Sequence, residues 1–541
     1  MRTREDVGAE KLRGGFYSPD TLVTFCLDRV AELLPGSARL RILEPSAGDG
    51  AFVRGLASRD LAARVEEFVA VELLPSEAER CRREIRLAPF TGRVFASSFI
   101  PWATSCRQNF DVAIGNPPFV RFQFVDEESK LESARLAARL GVLFRGVSNL
   151  WIPVLLGAIG GLREGGAFSF IVPAESFTGI SAAVARRWLL ANTDALQFDL
   201  FPPGSFPSVL QQVVVMSGLR RGEPRPGAAT LQVREHDSYG GAYSWSHAVD
   251  PDLETWTRFL LAPAHLDALA DARRLPSVRR LSDVAKFEVA AVTGANDFFS
   301  VDEETLAKYG LETWATPLLP RARHAKGLVY GKRDHRRTRS AAKAWLLDFA
   351  EDRSEPEDGT GAAAYLAAGK RLGLDERYKT RIRDPWYRVP HIRPGRLMLS
   401  KRSHRYPRVI LNEAGVVTTD TIYRGWMRPG FKSRDRGFVA GFHNSLTLLT
   451  AELEGRSFGG GVLELVPSEV SRLLVSMPEG FGAELGRLHE VARGVSDNDG
   501  EILVEETDLL LRKYEPGLTD DVLDRLREAR LLLLQRRLDR N

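Results

Sequence analysis

Leu43-Glu44-Pro45-Ser46-Ala47-Gly48-Asp49-Gly50-Ala51-Phe52 is the stretch on which the fold turns. It follows the apolar run Leu40–Leu43 and should open a helix, so it reads as a strand-to-helix turn. Glycines here let the backbone pass close to a ligand, and the exposed N–H groups at the helix start favour electron-rich atoms. Alone, a Gly-x-Gly after a strand is as often a structural turn as a ligand loop. The next candidate strand, however, ends in Val71-Glu72, about the distance at which an acidic residue reaches ribose hydroxyls in doubly wound folds. The pair marks a crevice at the carboxyl end of a sheet. Neither the spaced G-x-G-x-x-G of a dinucleotide site nor the Gly-Lys-Ser/Thr of a phosphate loop is present, which favours a nucleoside ligand without a phosphate chain.

Outward from this turn, short β-branched runs alternate with helical periodicity, as in βα units that build a largely parallel sheet. Candidate strands are Leu40–Leu43, Phe68–Glu72, Arg93–Ala96, Asp111–Ile114, Ala167–Val172 and Val213–Met216, with helices expected at Pro75–Leu87 and Glu127–Phe144. After Gly218 the turn-rich GLRRGEPRPG reads as a linker. We therefore expect an α/β catalytic domain over residues 1–240 and a second, mixed α+β domain over 241–541, interrupted by an acidic surface loop at Glu351–Gly361 and ending in a helix capped by Thr519.

The chain has 541 residues, too many for one core, and its 44% hydrophobic and 27% charged content excludes wholesale disorder. A net charge of +4 decides nothing about partners. Cys26, Cys81 and Cys106 are an odd number with no pair at metal-ligand spacing, so no metal site or disulfide framework is expected and a reducing cytoplasm is the simpler compartment. The N-terminus lacks the apolar core of a signal peptide, and the longest apolar run, Leu150 to Leu162, is too short to span a bilayer.

The fourth candidate strand stops in Gly115-Asn116-Pro117-Pro118-Phe119. Two prolines cannot continue a central strand, so the backbone leaves the sheet with its carbonyls unpaired. The amide oxygen of Asn116 beside the freed carbonyl of Pro117 could take both hydrogens of an exocyclic amine, and Phe119 offers a flat face for a ring. A rigid turn capped by Asn, with an aromatic core plug, is the equal alternative for the tetrapeptide alone.

Tyr17-Ser18-Pro19, LEPSAGDGAF, Val71-Glu72, Asn116-Pro117-Pro118-Phe119 and GSFPSVLQQVVV occur in the order found in the amino-methylating DNA methyltransferases of the gamma class, which this chain resembles over roughly residues 14 to 216. VTGANDFF (292–299) and FGGGVLEL (458–465) look like strings common in bacterial relatives. The resemblance implies a Rossmann-like, class I S-adenosylmethionine-dependent fold followed by a target-recognition domain. It places the cofactor against Ser18, the loop of Glu44, Pro45, Ser46, Ala47, Gly48 and Gly50, and Glu72, with Pro118 close to the adenine ring. Asn116 and Pro117 would orient the target amine, Phe119 would stack on a flipped base, and Phe206 would close the base pocket. Where the family often has an acidic residue before Phe in its third motif, this chain has Ser98-Phe99, and Ser98 is the weaker acceptor.

The implied reaction is direct methyl transfer to adenine N6 in a short double-stranded DNA sequence, after base flipping, protecting that sequence from a cognate restriction endonuclease. Adenine rather than the cytosine 4-amino group rests on Asn at the head of the tetrapeptide. Carbon-5 methylation would need a nucleophilic cysteine, and none of the three has a Pro-Cys context. Eight Lys/Arg against one acid between Arg321 and Arg339, and thirteen against three from Lys370 to Arg408, could track a phosphate backbone, with Tyr378, Trp386, Tyr387 and Tyr406 interleaved. A solvated face is the plain alternative. His391 and His404 are not spaced as ligands. Methylation of RNA or a protein amide, a modification subunit of a larger defence complex, a fused nuclease and a non-catalytic DNA-binding subunit are the rivals. The resemblance begins at Gly14 and leaves no room for an N-terminal nuclease, and Glu128-Ser129-Lys130 is read as a chance E-x-K.

Overall fold

The computed structural model describes residues 18–538 apart from 106–108, 123–126, 145–148, 179–181, 203–204, 207–212, 226–228, 238–239, 251–252, 254, 351–352, 354, 391, 459 and 496–499. The chain divides into two compact units at Pro263 and Ala264.

The first unit opens with helix α1 (Asp20–Leu33), strand β1 (Leu40–Glu44), α2 (Ala51–Ala57), β2 (Val65–Glu72), α3 (Pro75–Leu87), β3 (Gly92–Ala96), α4 (Phe99–Ser105) and β4 (Phe110–Gly115). It continues through α5 (Glu127–Arg139), α6 (Trp151–Gly160), β5 (Leu162–Pro173), α7 (Ala183–Asn192), β6 (Thr193–Leu200), β7 (Val213–Arg220), β8 (Ala229–His236) and β9 (Ala242–Val249). The strands form one nine-stranded sheet in the order β3-β2-β1-β4-β5-β7-β6-β8-β9. β3 through β5 are parallel, and β7 lies antiparallel between β5 and β6.

All six expected strands are present; those inside the sheet read as continuous apolar runs because they are buried on both faces, whereas β3 is a partly exposed edge strand. Val112, Ala113 and Ile114 of β4 are fully buried. Pro75 starts α3 at a position where its missing N–H costs nothing, and Ala78, Cys81 and Ile85 form the face it buries. Helix α5 stops at Arg139 rather than Phe144, since Gly141 takes φ +67° and the last carbonyls are closed by Gly141 N–H to Ala138 and Val142 N–H to Ala137. The apolar run after Leu150 is the buried helix α6, and among the described residues no helix is long and apolar enough to cross a membrane.

Three strands have no counterpart in the sequence expectations. β6 contains the charged Asp194 and Asp199 and a register shift at Ala195, φ 52°, which breaks its alternation. β8 and β9 follow the turn-rich stretch after Gly218 and form a hairpin on the same sheet, so residue 240 falls inside that hairpin.

The second unit holds a five-stranded sheet ordered Ala285–Glu288, Ile422–Met427, Leu397–Ser400, Val409–Asn412, Val329–Tyr330, and a four-stranded sheet that includes Ala315–Leu319 and Trp345–Leu347. The acidic insert is partly outside the described residues; its end caps helix Gly361–Arg371 through the Thr360 hydroxyl. The closing helix is Asp520–Leu538, where Thr519 Oγ1 accepts from Val522 N–H at 3.4 Å and Leu523, Leu526 and Leu533 are buried. Its Arg537 reaches Glu452 of helix Ser445–Glu454 at 2.7 and 2.8 Å, a buried ion pair that ties the two helices.

Candidate active site

The carboxyl ends of β2, β1 and β4 lie side by side, and the loops that leave them carry the candidate residues. After β1 the chain turns through Gly48, φ 52°, and Gly50, φ 91°. A Cβ at Gly50 would stand 3.2 Å from the Cα of Cys81, so only glycine fits between this turn and α3. Glu72 at the end of β2 fixes the turn by accepting from Gly48 N–H at 2.8 Å, and also accepts from Leu74 N–H at 2.8 Å. Ser97 N–H in turn donates to the carbonyl of Glu72 at 2.9 Å, which ties the end of β3 to the end of β2.

After β4 the chain bends at Gly115, φ 149°, where a Cβ would stand 3.4 Å from Pro45 and 3.6 Å from Glu44 Cγ. The β1 turn and the Asn116-Pro117-Pro118-Phe119 segment are therefore neighbours, and the Ser46 hydroxyl joins them by donating to the Asn116 carbonyl at 2.9 Å. Asn116 Nδ2 donates to Ser18 Oγ at 3.2 Å. Among the described residues, that leaves Asn116 Oδ1 buried with no partner. Among the described residues nothing donates to the Pro117 carbonyl either. An unpaired buried acceptor costs about 1–3 kcal/mol, and such an atom is satisfied by a ligand that brings a donor.

Glu44 is the second group of the site left incomplete: it is 1% exposed and, among the described residues, its Oε2 has no partner. Burial pushes its carboxyl well above the usual carboxylate range, negative Glu72 and Asp49 add to the rise, and Arg54 opposes it. The loop is thus short of positive charge. Cys26 and Cys81 are fully buried, and burial raises the Cys26 thiol to about 12 and Cys81 likewise upward, so neither is a nucleophile; Cys106 lies outside the described residues.

Phe119 and Phe206 are half-buried and pack against one core cluster that includes Leu22, Ile114 and Phe201. Phe206 meets Phe201 edge-on, with centroids 5.1 Å apart, and Phe201 is stacked on His236 at 5.2 Å and 12°. His236 Nε2 donates to Asp199 at 2.8 Å, and Arg29 of α1 donates to both oxygens of the same carboxylate at 2.8 Å. Burial alone would raise the Asp199 carboxyl, but the hydrogen bonds from His236 and Arg29 hold it below the usual range. This support for Phe206 was missing from the sequence reading, because 170 residues separate Arg29 from Asp199. The only hint is a charged residue inside an apolar strand end.

Ser18, Glu44, Pro45, Ser46, Ala47, Gly48, Gly50, Glu72, Asn116 and Pro117 thus come together around adjoining strand ends, with Pro118 and Phe119 following. Ser98 is half-buried, and its carbonyl accepts from Trp102 N–H at 3.3 Å. Phe99 is a core residue, 5% exposed, with its ring packed against Trp102 and Gly157 of α6.

Residues 76–204 match the family described as Eco57I restriction-modification methylase, and residues 253–511 match the C-terminal domain of type II methyltransferase M.Eco57I. Over these two stretches the chain is similar to the Eco57I-like type II restriction-modification methyltransferases. Among its relatives, the type II methyltransferase M.XamI of Xanthomonas campestris pv. amaranthicola is 22% identical over 476 residues, covering 87% of this chain and 86% of that protein. M.AccI of Acinetobacter calcoaceticus is 20% identical over 408 residues, covering 72% and 71%. The type IIL restriction-modification enzyme MmeI, solved in complex with DNA, aligns over 97% of this chain and 75% of its own with a TM-score of 0.51 at 12% identity, a likeness of fold. The type IIG restriction endonuclease BpuSI is longer, so that this chain spans 66% of it, with a TM-score of 0.44 at 14% identity. The Rossmann-like fold of S-adenosylmethionine-dependent methyltransferases, expected from the sequence, is the fold of the first unit.

Proposed function

We propose that this methyltransferase modifies the 6-amino group of adenine within a short sequence of duplex DNA, with S-adenosylmethionine as methyl donor, and protects that sequence from a companion endonuclease. The observation that carries the reading is Asn116 Oδ1, buried and unpartnered while Ser18 holds the other end of the amide. With the Pro117 carbonyl beside it, it offers two acceptors to an amine that carries two hydrogens. Accepting both raises electron density on nitrogen and fixes its direction of attack.

The crevice suits the cofactor's charge. Glu44, Asp49 and Glu72 face one cation, Arg54, and Glu44 Oε2 lacks a donor, which fits a ligand bearing sulfonium and ammonium groups. When bound, the cofactor supplies a methyl group already activated by positive sulfur. Glu72 would hold the ribose hydroxyls with the lone pairs left free by Gly48 and Leu74, while Gly48 and Gly50 admit the ligand close to the backbone. Phe119 and Phe206 would stack on the flipped base and offset part of the few kcal/mol that unstacking costs. That relatives of this chain are named as type II methyltransferases, and that MmeI was solved with DNA, supports DNA as the substrate.

The test is single-molecule sequencing of genomic DNA from a methylation-free bacterial host expressing the chain, beside its Asn116→Ala variant. Modified adenine in one short motif, absent with the variant, is expected. A modified cytosine would overturn the choice of base, and unmodified DNA from a protein that binds the cofactor would overturn the choice of substrate.

A further inference from the structure

The second basic run, Lys370 to Arg408, divides into cations used within the fold and cations left over. Six of its thirteen cations, Lys401 and Arg383 among them, have partners within the fold. Arg388 pairs with Glu355 at 2.8 Å, Arg396 with Asp435 at 2.8 Å and Arg402 with Glu464 at 2.6 Å, while Arg408 donates to the carbonyls of Ala322, Ala325 and Gly327. Three of its four aromatic residues are also internal: Trp386 and Tyr387 pack on a core cluster, and Tyr406 donates to the Gly500 carbonyl. Of the cations left over, three cluster with exposed apolar side chains in residues 377–382. Arg377, Lys379 and Arg381 are exposed, and among the described residues none forms an ion pair; Arg381 lies over the Tyr378 ring at 5.6 Å. Tyr378 and Ile382 are 71% and 72% exposed.

This segment is also held rigidly. Thr380 at its centre is fully buried and donates to the carbonyls of Leu374 and Arg377. Arg383 at its end donates to the carbonyls of Val292 and Thr293 at 2.6 and 2.8 Å. Gly294, φ 79°, lies so close that a Cβ there would stand 3.1 Å from Lys379 Cβ. The VTGANDFF string is therefore the base on which residues 377–382 are mounted.

We propose that residues 377–382 enter a groove of duplex DNA, with Arg377, Lys379 and Arg381 on phosphates and Tyr378 and Ile382 as an apolar tip against the bases. The assignment rests on DNA being the substrate. Three unpaired cations around an exposed aromatic and a β-branched side chain are what a polyanion with a stacked interior demands: neutralisation at the rim and an apolar wedge at the centre. A mount that is already ordered adds little ordering cost on binding.

Binding of a fluorescein-labelled random-sequence DNA duplex, measured against NaCl concentration, tests it. For the Arg377→Ala, Lys379→Ala, Arg381→Ala triple variant, the slope of log affinity on log salt should become shallower by about 2 to 3, since each phosphate contact contributes about 0.9. Cofactor binding and melting temperature should stay at wild-type values, and the charge-conserving Arg377→Lys, Arg381→Lys variant should keep most of the slope. The Tyr378→Ala, Ile382→Ala variant should keep the salt slope and lose at least tenfold in genomic methylation rate. A triple variant with wild-type slope and affinity would overturn the proposal while leaving the DNA reading intact. A wild-type protein that binds no duplex would overturn both.

Discussion

Ser46 touches neither of the unpartnered acceptors, yet its hydroxyl holds the backbone of Asn116. Ser46→Ala removes one hydrogen bond worth about 0.5–1.5 kcal/mol, so we expect kcat to fall roughly two- to tenfold with little change in cofactor affinity, read by steady-state methylation with KM measured for both substrates. Glu44 makes a pH-dependent prediction whose sign follows from its raised carboxyl. In the free protein it binds a proton more readily than an ordinary carboxyl, and a cationic ligand favours the ionised form. Cofactor binding should therefore release a proton, and affinity should weaken as pH falls through that raised value. Calorimetry in buffers of different ionisation heat measures the release, and Glu44→Gln should remove it. The candidate residues at this scale were legible because each is a local consequence of chain direction: prolines that cannot pair, glycines that must turn, and an acid at a strand end. The unsatisfied state of Glu44 and Asn116 was not, since it depends on what the rest of the fold fails to supply.

Among the elements, β6 is held by a carboxylate that three side chains share: Arg29 from α1, His236 from β8 and Gln197 from its own strand. Asp199→Ala leaves buried Arg29 with Glu32 as its remaining carboxylate partner, so the cost should be at or below the low end of the roughly 3–5 kcal/mol for an uncompensated buried charge and should appear as a lowered midpoint in urea unfolding. The surviving folded fraction should also lose base flipping, read with a fluorescent adenine analogue, because Phe201 and Phe206 lose their backing. Helix α3 could be bounded to the residue from Pro75 and its apolar face. Strands β6, β8 and β9 could not, because β6 trades alternation for charge and β9 is largely exposed along its length.

For the molecule as a whole, the division at Pro263 and Ala264 predicts two cooperative transitions in calorimetry. Cofactor at 100 times its dissociation constant should stabilise by about 2.7 kcal/mol only the unit that carries Glu44, Glu72 and Asn116; an equal upward shift of both transitions would count against confining the cofactor site to that unit. The net charge of +4 conceals the more useful distinction between cations used inside the fold and cations left over. Composition could not draw it, since the partner of Arg402 lies 62 residues further along the chain.

The twin acceptors at Asn116 and Pro117 bear finally on how the reaction ends. In the proposed reaction an amine enters with two N–H groups and leaves with one, a proton having been given up as the methyl is taken on. The pocket that welcomed the reactant is left one donor short, at about 1–3 kcal/mol, and so favours expulsion of the base it has just marked. A site dried in advance to hold a primary amine is, by the same economy of hydrogens, reluctant to keep a secondary one.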